Sequence, residues 1–246
     1  MDHVNAKIRA MRARLITPDQ YRILCHSQST EHFFAQLQTY PAYTHRRIAM
    51  SMSKEMDQMR LFLTGAGATV GTGLSTDKWM HMISLEEDHM LAWSYVKTLS
   101  NGPNRQALTY IKGMEIDMQN ILRIYRLKQY YPEAEVYPHL IPICYKLNKE
   151  FLRQMVKSPG IAEFIVALHH TYYGHVFNSF EAPNRAVSQA MKLFYNRMTK
   201  RYPQSMAGVM SYFFDKKMES QNLTVVMEGI KYRLTPDEIF SRLKLY

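Results

Sequence analysis

The stretch "DMQN" at Asp117–Asn120 comes back as "ESQN" at Glu219–Asn222, 102 residues further on, and an apolar run follows each copy. No other feature restricts the fold as much, because the recurrence extends well beyond four residues. At the same offset Leu91 falls on Leu193, Trp93 on Tyr195, Tyr110 on Tyr212, Ile111 on Phe213, Gln119 on Gln221, Ile121 on Leu223 and Ile124 on Val226. A second offset, of 131 residues, lays Ile16 on Leu147, Asp19 on Glu150, Leu24 on Met155, Phe33 on Phe164 and Leu37 on Leu168. Self-similarity of this length marks a duplicated supersecondary module. Two copies are too few for a solenoid, so they are expected to pack about a common axis. The offsets differ by 29 residues, which places an insertion in the first copy, at the Gly-rich stretch of about 64–76. The modules are then 1–130 and 131–246.

Both modules read as helical. "TPDQ" at Thr17–Gln20 and "TPDE" at Thr235–Glu238 each put Thr at the N-cap, Pro at the first helical position, Asp in the first turn and Gln or Glu three residues after the cap. That is a capping box with proline pre-set for the helix. Further helices are expected at about 43–63, 77–99, 103–129, 148–157, 160–178, 184–200 and 204–232, separated by "SNGPN", "YPEAEVYP", "SPG", "APN" and "YPQS". No period-2 strand pattern is present, and ten Gly and ten Pro in 246 residues are too few for an all-β chain. The expected fold class is all-α, built from a duplicated helical module. Eighteen Met read first as filler between helices.

The formal charge of +10 raises nucleic acid as a partner. The basic residues are scattered, however: Arg9, Arg12, Arg14, Arg46, Arg47, Lys128, Lys157, Lys192, Lys200, Arg201, Lys216, Lys217 and Lys231. They form no tail and fit no recognition motif, which argues against dedicated nucleic-acid binding. A basic surface facing an acidic protein or anionic lipid heads fits as well. Cys25 and Cys144 stand far apart without metal spacing, as suits a reducing cytoplasm. The N-terminal stretch alternates charge with apolar positions and does not read as a secretory signal. No apolar run approaches the length of a membrane span. A soluble protein is expected.

Three stretches invite chemistry and do not support it. "GAGATVG" at Gly65–Gly71 follows a helical pattern, lacks a Lys-Ser/Thr and has the wrong Gly spacing for a phosphate loop. His169, His170 and His175 are not spaced to share a helical face, and no acid completes a zinc motif. Glu86–Asp88 reads as a solvated helix face. No nucleophile–base arrangement stands out. The expectation is a protein with no catalytic residue, no cofactor and no metal.

The acid–Asn rows remain. Asp117, Asn120 and Arg123 lie three apart on one helical face, and Glu219 and Asn222 repeat the pair with Val225 in place of the Arg. Among apolar neighbours such a pair is expected to be partly buried and therefore hydrogen-bonded, as a clamp on the register of adjacent helices. The alternative is that the rows line a partner-binding surface. Lys128 and Lys231, which close the two apolar runs, complete the set of structural or interface candidates.

These residues also carry a resemblance. The "[DE]-x-x-N-[IL]" pattern with a basic residue after it, "RAMRARLI" (Arg9–Ile16), "AQLQTYPAY" (Ala35–Tyr43) and "ALHHTYY" (Ala167–Tyr173) are similar to the C-type coupling subunits of bacterial and archaeal V/A-type ATPases. These correspond to the d-type component of the eukaryotic vacuolar proton pump. The closing "ESQNLTVVMEGIKYRLTPDEIFSRL" is the most family-like stretch, and Leu168, Thr171 and Tyr173 supply the family's L-x-x-T-x-Y. The resemblance implies an all-α, non-catalytic coupling component without cofactor, peripheral on the cytoplasmic face of the membrane. Its implied partners are the central-stalk subunits, whose shaft docks into a funnel of helical modules, and the proteolipid ring that moves protons or sodium ions. The family normally has three modules; this sequence shows two. The alternative function is a stand-alone helical module that uses its basic surface for nucleic acid or anionic membrane.

Overall fold

The computed structural model describes residues 2–44, 48–65, 75–84, 88–177 and 182–245. Arg46, Arg47, Glu86, Glu87 and nearly all of the Gly-rich insertion therefore lie outside the described residues. Within them the chain is all-α, with no strand. The helices run in the order α1 (Asp2–Arg12), α2 (Pro18–Cys25), α3 (Thr30–Leu37), α4 (Ile48–Gly65), α5 (Thr76–Ser84), α6 (His89–Thr98), α7 (Pro103–Tyr130), α8 (Lys149–Lys157), α9 (Ile161–His169), α10 (Pro183–Arg201), α11 (Ala207–Lys231) and α12 (Pro236–Arg242).

Local chemistry explains most boundaries. Thr17 and Thr235 each accept from the backbone N–H three residues on, while the Gln20 and Glu238 side chains accept from the cap's own N–H. Both capping boxes are thus complete, with Pro at the first position. Ser29, Asp88 and Asn148 cap α3, α6 and α8 in the same way with a single side-chain bond. Three expectations need correction. The helix read as 77–99 is two helices, the second starting behind the Asp88 cap. The one read as 160–178 ends at His169, because Thr171 Oγ1 donates to the Leu168 carbonyl and the chain turns sharply. A Cβ at Gly174 in that turn would lie 2.6 Å from the His169 carbonyl oxygen. The helix read as starting near residue 43 starts at Ile48, since Tyr43 is held elsewhere, as described below.

The chain divides into two compact units that do not follow the boundaries of the sequence modules. One comprises Met1–Ile83 with Pro203–Tyr246, the other Ser84–Tyr202. In the first, α11 is the axial helix, packed by α1, α2, α3, α4 and α12. Its core gathers Ile16, Leu24, Phe33, Leu37, Tyr43, Leu223, Val226, Ile239 and Leu243. Leu24 and Phe33 are wholly buried, and each such side chain stabilises by roughly 1.5–3 kcal/mol. In the second unit α7 is axial, flanked by α6, α9 and α10, with α8 lying against α9. Ile111, Met114, Ile121, Ile124, Phe164 and Tyr173 are wholly buried there. In both units the axial helix is therefore the one that bears the acid and the asparagine.

Candidate functional site

Asp117 and Asn120 are completely buried on α7, and both reach the chain that follows the helix. Asn120 makes a two-way bond with one residue's backbone: its Oδ1 accepts from Ile141 N–H at 2.8 Å and its Nδ2 donates to the Ile141 carbonyl at 2.9 Å. Asn222, one repeat later, does the same with Lys244, accepting at 2.9 Å and donating at 3.3 Å. An asparagine is well suited to this, because its amide carries donor and acceptor side by side, like a backbone peptide. The rows are clamps on backbone, and in both copies the gripped residue lies beyond the turn after the axial helix.

Each acid grips the start of a short helical pair, α8 and α9 for Asp117 and α2 and α3 for Glu219. Asp117 accepts three successive N–H groups, from Tyr145 at 2.9 Å, Lys146 at 2.6 Å and Leu147 at 2.8 Å, and the Tyr173 hydroxyl at 2.8 Å. Burial pushes this carboxyl above the ordinary range, and the four donors pull it back. Glu219 has the matching set: Ile16 N–H at 2.6 Å and the Tyr43 hydroxyl at 2.6 Å. Ile16 is the residue that aligns with Leu147 at the 131-residue offset, and Tyr43 aligns with Tyr173 one position out of step. The second acid is thus served by a segment far upstream, where the first is served by the segment just downstream. Both tyrosine hydroxyls are held far above the usual phenol range by burial first and by their carboxylate partners second.

The copies differ in charge. Met114, whose sulfur lies 3.2 Å from the Tyr173 hydroxyl, is replaced in the second copy by Lys216, which is 1% exposed. Lys216 Nζ donates to Glu219 at 2.5 Å and to the Tyr43 hydroxyl at 3.1 Å, and sits 4.6 Å from the centre of the Tyr43 ring. A buried ammonium beside a single carboxylate is costly. A second acid, Glu55 of α4, approaches to 3.6 Å and accepts from the Tyr212 hydroxyl. Sequence reasoning missed Lys216, Glu55, Tyr43 and Tyr173 as members of these networks. Signals were present for two of them, since Lys216 stands three residues before Glu219 and Tyr173 belongs to the L-x-x-T-x-Y pattern.

The remaining candidates behave unequally. Arg123 Nη1 donates to the His139 carbonyl at 2.9 Å, bracing the same loop as Asn120. Lys128 Nζ donates to the carbonyls of Val156 at 3.0 Å and Ser158 at 2.5 Å, at the C-terminus of α8. A cation there satisfies end carbonyls and complements the helix dipole. Lys231 is exposed at the last residue of α11 and takes no comparable place in the second clamp. Among the described residues no three of His, Cys, Asp and Glu gather closely enough to hold a metal. His175 stacks edge-on against Tyr172.

Residues 89–242 match the family of the ATP synthase (C/AC39) subunit, a span that begins with α6 and takes in both acid–Asn rows, while Ile16, Tyr43 and Lys244, the partners of the second row, lie outside it. The chain belongs to the ATP synthase (C/AC39) subunit family. The C-type subunit of the A-type ATP synthase of Archaeoglobus fulgidus is 32% identical over 165 residues, covering 62% of this chain and 47% of that relative. The chain thus spans about half the length of that relative. Residues 1–88, including α1 and the capped α2, lie before the family match. As a member of the C/AC39 family the chain is all-α, and its two recurring rows are the buried polar centres of two related helical packings.

Proposed function

We propose that the chain is a non-catalytic coupling component of a V/A-type rotary ATPase. It acts as a socket that joins the central rotor shaft to the membrane proteolipid ring, peripheral on the cytoplasmic face, and so serves proton or sodium transport. The observation that carries this reading is the family match, which takes in both acid–Asn rows and runs to the end of the last helix. The clamps suit the task physically. A part that passes torque between two others must not yield internally, and here buried side chains lock backbone to backbone in each unit with short bonds. No helix among the described residues is long and apolar enough to cross a membrane, so attachment to the ring would be through protein contacts. The two modules read from the sequence, 1–130 and 131–246, would on this account be the duplicated units of an evolutionary precursor.

The test is recovery of the tagged chain, at moderate salt, from its own source. The expected result is stoichiometric co-purification of central-stalk subunits and proteolipid ring, diminished when Asn120→Ala or Asn222→Ala weakens the socket without unfolding it. Recovery of the chain alone, or with salt-sensitive nucleic acid or lipid, would overturn the coupling role and favour a stand-alone binding module.

A further inference from the structure

We infer that the cleft between α11 and the segment following α12 binds a carboxylate-bearing peptide segment of a partner protein. The inference does not depend on the rotary reading. The cleft has a volume of about 350 Å³, at the small end of the range for binding pockets, roughly 300–1,000 Å³. Arg242 and Lys244 stand on one side, and Ser220, Gln221, Thr224 and Val225 of α11 form the other. Among the described residues no acid lines it.

Two cations and two side-chain amides are among its lining residues. Lys244 Nζ donates to Gln221 Oε1 at 2.9 Å, which orients the Gln221 amide so that its other end, the NH₂, is a donor. Arg242 adds a planar fork of N–H donors suited to a carboxylate. Glu238, one turn earlier on α12, accepts from the Thr235 N–H and hydroxyl through Oε2 at 2.8 Å each, and the Arg242 charge adds to these bonds in holding its carboxyl below the ordinary range. The Thr224 hydroxyl donates to the Ser220 carbonyl at 3.1 Å, and Val225 adds an apolar side chain to the lining. The Asn222 clamp holds the Lys244 backbone and so sets the position of its side chain.

The repeat supplies an independent observation. Ser220 and Thr224 align with Met118 and Leu122, which are 0% and 3% exposed in the second unit. The face that is packed core on α7 is half-open on α11, and its Met and Leu have become Ser and Thr. Two cations beside an apolar wall fit one or two carboxylates on an aliphatic stem. An anionic membrane surface calls instead for clusters of about four to eight Lys or Arg, which this cleft lacks.

The full chain would be titrated against rhodamine-labelled Leu-Glu-Glu-Leu-amide by fluorescence anisotropy, with the Leu-Gln-Gln-Leu twin as control. Saturable binding of the Glu peptide is expected, at least about tenfold weaker for the Gln twin and for Arg242→Gln or Lys244→Gln, while Lys54→Gln on α4 leaves it unchanged. Thermal melts equal to wild type would show the variants folded. No binding, or binding equally reduced by Lys54→Gln, would overturn the inference. So would capture by phosphatidylglycerol vesicles without any peptide binding, or complete loss of the peptide's binding in millimolar inorganic phosphate.

Discussion

The two asparagines perform one task in different surroundings, and the difference sets their worth. Asn120 and its Ile141 partner are both buried, whereas Lys244, the partner of Asn222, is half-exposed and can turn to water. Removing a buried hydrogen-bonded group strands its partner at a cost of about 1–3 kcal/mol per group. Asn120→Ala should therefore cost about 2–3 kcal/mol in urea unfolding and Asn222→Ala about 1 kcal/mol. Equal costs would mean that exposure at Lys244 does not relieve the loss. Arg233 is a different single-residue case. It sits at φ 57° just past the end of α11, where Leu234 N–H bonds back to the Gly229 carbonyl at 3.0 Å. That left-handed position favours glycine, so Arg233→Gly is expected to raise the melting temperature slightly; a fall would show that the arginine side chain contributes more than the backbone strain costs. The thiols separate in the same spirit. Burial pushes Cys25 up to about 11, so at mildly alkaline pH it is protonated as well as shielded, and half-buried Cys144 should react first with a thiol reagent. Cys25 should follow only on unfolding.

Among the elements, α4 is held to the first unit by an acid that the repeat does not supply. Glu55 balances Lys216, which stands where the other copy has Met114. Breaking one member of a buried pair costs more than replacing both. Lys216→Met alone should destabilise by about 3–5 kcal/mol, and adding Glu55→Gln should recover part of that loss; simple additivity of the two would contradict the pairing. Helix contacts also depend on two glycines. A Cβ at Gly113 on α7 would lie 2.3 Å from the Tyr145 ring, and one at Gly229 on α11 would lie 2.6 Å from Ile239 of α12. Both mark where an axial helix lets its neighbour close in. The caps at Thr17 and Thr235 are legible in the sequence because donor and acceptor lie three residues apart. The partners of the acids are not. Leu147 and Ile16 contribute only backbone N–H groups, which leave no side-chain signature, and Ile16 is 203 residues from Glu219. The end of α9 is hidden as well, because apolar spacing continues past His169 while Thr171 and Gly174 have already turned the chain.

At the scale of the molecule, the unit Ser84–Tyr202 is continuous in sequence, and the partners that hold Asp117 and Asn120 lie inside it. A fragment spanning 84–202 should fold alone, with helical circular dichroism and a cooperative melt. The other unit draws on both ends of the chain, through Ile16 and Tyr43 on Glu219, and neither end should fold without the other. Failure of the 84–202 fragment would mean that the clamps do not suffice to close a unit. Function belongs to this scale too, because family membership concerns a part within a larger machine. The most direct test of the proposed coupling role is to strip this chain from membranes that bear a V/A-type rotary ATPase and follow ATP hydrolysis and ion uptake together. Coupling predicts that hydrolysis persists while uptake is lost, and that adding back the purified chain restores uptake. Uptake that survives without the chain, or fails to return with it, would contradict the coupling role.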